Sequence, residues 1–279
     1  MGSISDSLVG GLCFSDLTKI THTRLRVKPN NARSVDNLSA MADIAESFDA
    51  GGWKFTPEVT DEFDEHVSAS VPHYLVIQQL VAQASDWPVP HGGHYVDLGA
   101  STGTTAEQIA KRHPDRRIRA TLIDEVPEML DRAVRKLDPY PNMVVARNPQ
   151  NICAPLTYAP SDLVTALFTL QFLAPDQRES VLANSRARSK ASGAIVLAEK
   201  VRPSSSVWHE IATDLSHDFK ESAGLSDTAI RQKARSLRGV LRPVAMDSIV
   251  SELTGAGWNS VEVLFRWHQW VVVGALAAK

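Results

Sequence analysis

Within "YVDLGASTG" (95–103) an acid, two glycines and a serine crowd together, and a second acid, Asp124, stands further along in "LIDEVPEML". Gly99 and Gly103 let a backbone approach a ligand closely, and a helix opening behind them offers free N–H groups. The spacing is Gly99-x-Ser101-x-Gly103, not the G-x-G-x-x-G that cradles a dinucleotide diphosphate, and Asp97 precedes it. A carboxylate there suits a ligand with a cationic amino group and no diphosphate. Asp124 can accept both hydrogen bonds from the hydroxyls of a ribose. Asn148, in "RNPQN", is placed to meet an adenine edge. Together these describe a nucleoside laid across strand ends. S-adenosylmethionine has an ammonium, a sulfonium and no phosphate, so it fits better than a dinucleotide.

Other residues invite chemistry with competing readings. Gln171, in "FTLQFLAPDQR" (168–178), could face the ligand cleft or bond the backbone and shape a strand-to-helix turn, and the second is preferred. His217, in "HDFK", has the side chain for a general base near neutral pH. A helix histidine bonded to its neighbours is the plainer alternative. "HGGH" (91–94) precedes the first strand, away from the ligand edge, so no metal is expected. Trp267 and Trp270, in the closing hairpin, suit sheet packing better than an acceptor platform, while Trp53 and Phe55 could cover the cofactor or cap the core.

These side chains need a frame. Strands at 94–100, 118–124, 142–147, within 161–172 and at 193–200 alternate with helices at 104–113, 127–137 and 176–189. Such alternation implies βαβ units and a largely parallel sheet, with ligands beyond the carboxyl ends of its strands. Two helices within 205–240 interrupt the rhythm, and a helix and two strands close the chain as a hairpin. Upstream, Ser39 can cap a helix, and Val59, Phe63 and Val67 recur at helical steps until Pro72 restarts the chain. The expected fold is α/β: a doubly wound, seven-stranded, Rossmann-like sheet with an N-terminal helical cap. The expected division is a basic arm (1–40) and one domain (41–279). That domain comprises a cap (41–92), a cofactor-binding core (93–200), inserted helices (201–245) and a C-terminal helix and hairpin (246–279).

Bulk composition narrows the classes. With 279 residues and 43% apolar content the chain can bury a large core without staples. A net charge of −3 gives no global field for nucleic acid or anionic membrane. The basic residues Lys19, Arg24, Arg26, Lys28 and Arg33 nonetheless leave nucleic acid open as a partner. Cys13 and Cys153 are too few for a disulfide framework, no apolar run is long enough to span a bilayer, and no secretory leader is visible. A cytoplasmic enzyme is the expectation.

"YVDLGASTG", "LIDEVPEML", "LFTLQFLAP", "GAIVLAEK", "HDFKESAGLSDTAIRQK" and "AGW" stand in the order and spacing of a known group. The chain resembles class I S-adenosylmethionine-dependent methyltransferases and, within them, carboxy-S-adenosylmethionine synthases, which serve wobble-uridine modification of tRNA. The resemblance implies cofactor contacts at Tyr74, Gly99, Ala100, Ser101, Asp124, Glu125, Asn148 and Pro149, and a homodimer. With Asp97, Gly103, Leu167 and Phe168 these form the expected cofactor site; His217 is the expected catalytic residue. The chain departs from the family in three places. An amide, Asn148, stands for an acid, Leu167 stands for an Asn, and Ala234 stands where the family has an Arg for the added carboxylate. Arg235 is adjacent, but one helical residue rotates a side chain by about 100°. Methyl transfer to a small-molecule acceptor, leaving S-adenosylhomocysteine, is therefore the primary expectation. Carboxy-S-adenosylmethionine synthesis with prephenate is the alternative, and a silent cofactor-binding module the third.

Overall fold

The computed structural model describes Gly51 and residues 63–277. The basic arm, the helix expected after Ser39, Trp53, Phe55 and Val59 lie outside the described residues. Helix α1 (Phe63–Ser70) stops short of Pro72, and α2 (Tyr74–Ala84) starts afresh behind His73, whose φ is 59°. Proline fixes φ and has no N–H to continue a helix, so the break falls where the sequence requires it.

The alternating core follows as β1 (His94–Leu98), α3 (Thr104–Arg112), β2 (Ile118–Asp124), α4 (Pro127–Leu137) and β3 (Met143–Pro149). Next come β4 (Ser161–Leu167), a 3-10 turn (Leu170–Phe172), α5 (Pro175–Ala187) and β5 (Ser189–Lys200). Pro127 and Pro175 each occupy the first helical turn, where a missing N–H costs nothing. Helices α6 (Ser206–Ser222), α7 (Asp227–Ser236) and α8 (Met246–Gly255) precede the hairpin of β6 (Asn259–Trp267) and β7 (Trp270–Leu276). The sheet runs β3-β2-β1-β4-β5-β7-β6, with β7 antiparallel to both of its neighbours. This is the doubly wound, seven-stranded α/β fold expected.

Central strands are buried along their length, because helices cover both faces. On one face Ile77, Val81, Ile109 and Leu130, from α2, α3 and α4, pack on Tyr95 and Leu163. On the other, Val181, Leu182, Ile249 and Leu253, from α5 and α8, pack on Val96 and Val164. Gly103 (φ 77°) belongs to the first face, since a Cβ there would meet Ala133 of α4 at 2.7 Å. Arg178, Glu199 and Glu252 form an ion cluster inside the second face. Among the described residues no helix is long and apolar enough to cross a membrane.

Candidate functional site

Where β1 and β4 end, the chain opens into a cavity of about 1040 Å³, counting its mouth. Parallel strands diverge at this edge, and the order reverses between β1 and β4, so a crevice is expected there. The turn after β1 is shaped by backbone pairing. Gly99 N and Ala100 N both donate to Ile123 O, at 2.8 and 2.9 Å. Gly99 has φ 74° and lies so close to Thr169 that a Cβ would run into that side chain. Only glycine permits both the φ and the approach.

Asp97 is 2% exposed. Its Oδ1 accepts from Thr165 Oγ1 at 2.7 Å, while Oδ2, also buried, has no partner among the described residues. Burial pushes its carboxyl up to about 6, against the hydrogen bonds from Thr165 and Tyr95 that lower it, with the charge of Asp124 adding a rise. Gln78 Oε1, on α2, is a second buried acceptor on this wall without a partner. Two orphaned acceptors beside one cavity suit a ligand cation rich in N–H donors.

Asp124 is tied to backbone on both oxygens. Oδ2 accepts from Ser101 N at 2.8 Å and Oδ1 from Val126 N at 3.0 Å. Burial raises its pKa, opposed by those same bonds. Each carboxylate oxygen keeps a lone pair for a ligand hydroxyl. Tyr74, whose hydroxyl is held protonated mainly by burial, meets Phe168 with ring centroids 6.1 Å apart. Phe168 has φ 59°, a conformation that strains a bulky residue and that tightly packed sites retain.

Helix α1 closes the cavity through Phe63 and Val67. Its Asp64 accepts from Thr102 Oγ1 at 2.5 Å, from Thr104 Oγ1 at 3.2 Å and from Lys136 Nζ at 2.6 Å. Asp64→Ala strands three donors and is expected to cost about 1–3 kcal/mol. A urea melt measures this; wild-type stability would mean that water serves those donors equally well.

Of the residues expected from sequence to bind cofactor, Tyr74, Asp97, Gly99, Ala100, Ser101, Asp124, Glu125, Leu167 and Phe168 line the cavity. Asn148 and Pro149 do not line it. Strand β3 runs on through both, pairing Asn148 with Ile123 and Pro149 with Asp124. The chain turns only after Gln150 N donates to Asp124 O, so Asn151 and Ile152 reach the wall instead. Asn151 Nδ2 donates to Glu125 Oε2 at 2.8 Å, and its Oδ1 accepts from Cys153 N. Gly103 serves helix packing rather than the wall. His217 is also absent from the wall; it sits on α6, where burial first and then the Lys220 charge lower its pKa. Gln171 bonds backbone on both sides, donating to Phe168 O and accepting from Lys200 N, so it shapes the strand-to-helix turn.

The methyltransferase domain family matches residues 96–193. The chain is 30% identical over 231 residues to the carboxy-S-adenosyl-L-methionine synthase of Staphylococcus epidermidis, covering 81% of this chain and 97% of that protein. It is 30% identical over 230 residues to the synthase of Klebsiella pneumoniae, covering 82% and 91%. Solved structures that share the fold include the following two. An O-methyltransferase family protein from Burkholderia thailandensis has TM-score 0.59 at 16% identity, over 79% of this chain and 60% of that one. Human N-acetylserotonin methyltransferase, in complex with SAM, has TM-score 0.54 at 14% identity, over 80% and 57%. A cavity at the switch point, a buried acid on its wall with one unpartnered oxygen and near-complete coverage of the two synthases agree: the chain belongs to the carboxy-S-adenosyl-L-methionine synthase family of S-adenosylmethionine-dependent, methyltransferase-fold enzymes.

Proposed function

We propose that this enzyme places a carboxylate on the methyl carbon of S-adenosylmethionine, with prephenate as donor. The observation that carries the cofactor's placement is the orphaned Asp97 Oδ2. It would take the ammonium with Gln78, while Asp124 would hold the ribose and Asn151 would face the adenine edge from beside Glu125. The sulfonium end would then lie toward Leu167, Phe168 and Tyr74.

Attaching a carboxylate to that methyl carbon breaks one C–H bond and forms one C–C bond; prephenate would lose its ring carboxyl as CO2 and, on aromatising to phenylpyruvate, its ring hydroxyl as hydroxide, which takes the methyl proton and leaves as water while the methyl carbon bonds to the CO2. The described wall contributes no His, Lys or Cys to take the proton, and burial keeps Tyr74 protonated. The chain's contribution is then to align donor and cofactor and to exclude water. Methylation of a small-molecule acceptor is the second reading. It is favoured by Ala234, an exposed methyl where the family's Arg would stand, with Arg235 exposed beside it. A cytoplasmic setting and a homodimer belong to the same proposal and rest on the family likeness.

Incubation with S-adenosylmethionine and prephenate, followed by mass spectrometry of the nucleoside, tests it. A cofactor carrying one added carboxyl group is expected. Unchanged cofactor and intact prephenate, from protein that binds S-adenosylmethionine, would return the chain to methyl transfer.

A further inference from the structure

Lys200 ends β5, and Lys220 lies in the last turn of α6. Neither has an acid partner among the described residues, and the charge that most affects Lys200 is Lys220 itself. Alternation along β5 sends Glu199 toward Arg178 on one face and Lys200 to the other. There Lys200 Nζ lies 5.8 Å from the centroid of the Trp270 ring. Trp270 meets Phe168 edge-on at 5.7 Å, and Phe168 in turn lines the cofactor cavity. Strand β4, which carries Leu167, pairs directly with β5 through Ala198. Lys200 therefore stands one aromatic layer and one strand beyond the cavity.

Helix α6 faces this place with Ala212, Ser216 and Lys220, at four-residue steps on one side. Gln269 Nε2, in the β6–β7 turn, donates to Ala212 O and holds the helix against the sheet. Ser216 Oγ and Trp270 Nε1 are buried with no hydrogen-bond partner. Asp214 and Arg231 act on His217 alongside the two lysines, and Arg231 is already paired with Asp227. Burial lowers the pKa of Lys200 to about 8 and lowers that of Lys220 as well. Two cations and two orphaned donors, with no counter-charge, are costly unless an anion completes them.

We propose that Lys200 and Lys220, with the Ser216 hydroxyl and the Trp270 indole N–H, form a carboxylate-binding subsite that holds the carboxyl donor beside the cofactor cavity. The proposal rests on the carboxyl-transfer reading. It gives the donor two cations although Ala234 supplies none, and it makes His217 a neutral neighbour of the anion rather than the base expected from sequence.

The test is calorimetry with S-adenosylmethionine, and then with prephenate on S-adenosylhomocysteine-loaded protein, for wild type, Lys200→Met, Lys220→Met and Lys220→Arg. The Met variants are expected to raise the prephenate Kd at least about tenfold, the scale of a lost charge contact. Their S-adenosylmethionine Kd should stay within about twofold, and their Tm should not fall, because an uncompensated charge is removed. Lys220→Arg should restore much of the prephenate affinity. Unchanged prephenate affinity in both Met variants overturns the subsite, as does a joint loss of both affinities with Tm. If wild type carboxylates the cofactor and the Met variants do so with unaltered prephenate KM, the reaction stands and the subsite falls. If prephenate binds through the lysines and no carboxylated cofactor forms, the subsite stands and the reaction falls.

Discussion

Asp97→Asn is expected to weaken S-adenosylmethionine binding by about 100-fold or more, without destabilising the empty protein. The side chain is buried, one oxygen is engaged by Thr165 and the other is free. An asparagine keeps the acceptor that Thr165 needs and removes the charge that a ligand ammonium needs. Losing one partner of a buried charge pair costs about 2–5 kcal/mol in binding. The same change relieves the folded chain of a carboxylate that burial disfavours. Calorimetry for the ligand and thermal melts for the empty protein measure the two effects. A variant that loses affinity only in proportion to lost stability would make Asp97 a structural acid and withdraw the ammonium from it.

The two effects have opposite pH dependence. With a folded pKa of about 6, raised from 3.8, Asp97 contributes most to the stability of the empty protein below pH 3.8. That contribution is lost as pH rises through 6, over a span worth about 3 kcal/mol. Cofactor affinity needs the ionised form, so it should fall as pH drops below 6. In the asparagine variant both trends should flatten between pH 5 and 7, which ties them to one carboxyl.

The polar part of the cavity wall was legible because its residues sit immediately beyond strands whose apolar runs announce themselves. Asp97, Gly99 and Asp124 need no knowledge of distant packing to be placed. Asn151 was not legible, because β3 continues through Asn148 and Pro149 and only the bond from Gln150 N to Asp124 O decides where the chain leaves the sheet. Strand β5 likewise begins at Ser189, not at 193, because Ser189 pairs with Ser161 straight after α5. Phe63, Val67 and Met129 show ordinary helical spacing, which does not distinguish a cavity wall from a core. Lys200 and Lys220 were hidden for another reason. One closes a strand, the other lies on an inserted helix, and only the docking of α6 on the β6–β7 turn brings them into one field. "HDFK" drew attention to His217, while the cation three residues on carries the stronger argument.

Arg178→Met is expected to destabilise the fold by about 3–5 kcal/mol, a drop in Tm of roughly 10 °C for a chain of this size. Arg178 is 1% exposed and grips Glu199 with two nitrogens, at 2.7 and 3.1 Å, and Glu252 at 2.6 and 2.9 Å. Burial alone would lower its pKa; the hydrogen bonds and charge of Glu199, then of Glu252, more than offset this and hold it above the ordinary value. Without the guanidinium, Glu199 is left inside the sheet with no counter-charge. Adding Glu199→Met should recover much of the loss, because an apolar pair of similar volume replaces a buried ion pair at little cost. Glu252 is less deeply placed, with 14% of its side chain exposed, and can turn to water. The single variant should also regain stability on acidification, since an unpaired buried carboxyl has a raised pKa and its penalty vanishes once it is protonated. Chemical denaturation at pH 5 and pH 8 reads all three proteins. A double variant no more stable than the single one would show that Arg178 acts through packing of its stem between α5 and α8, not through charge. Because Glu199 and Lys200 point to opposite faces of β5, the single variant should keep its cofactor Kd, which separates the support of the sheet from the chemistry at its edge.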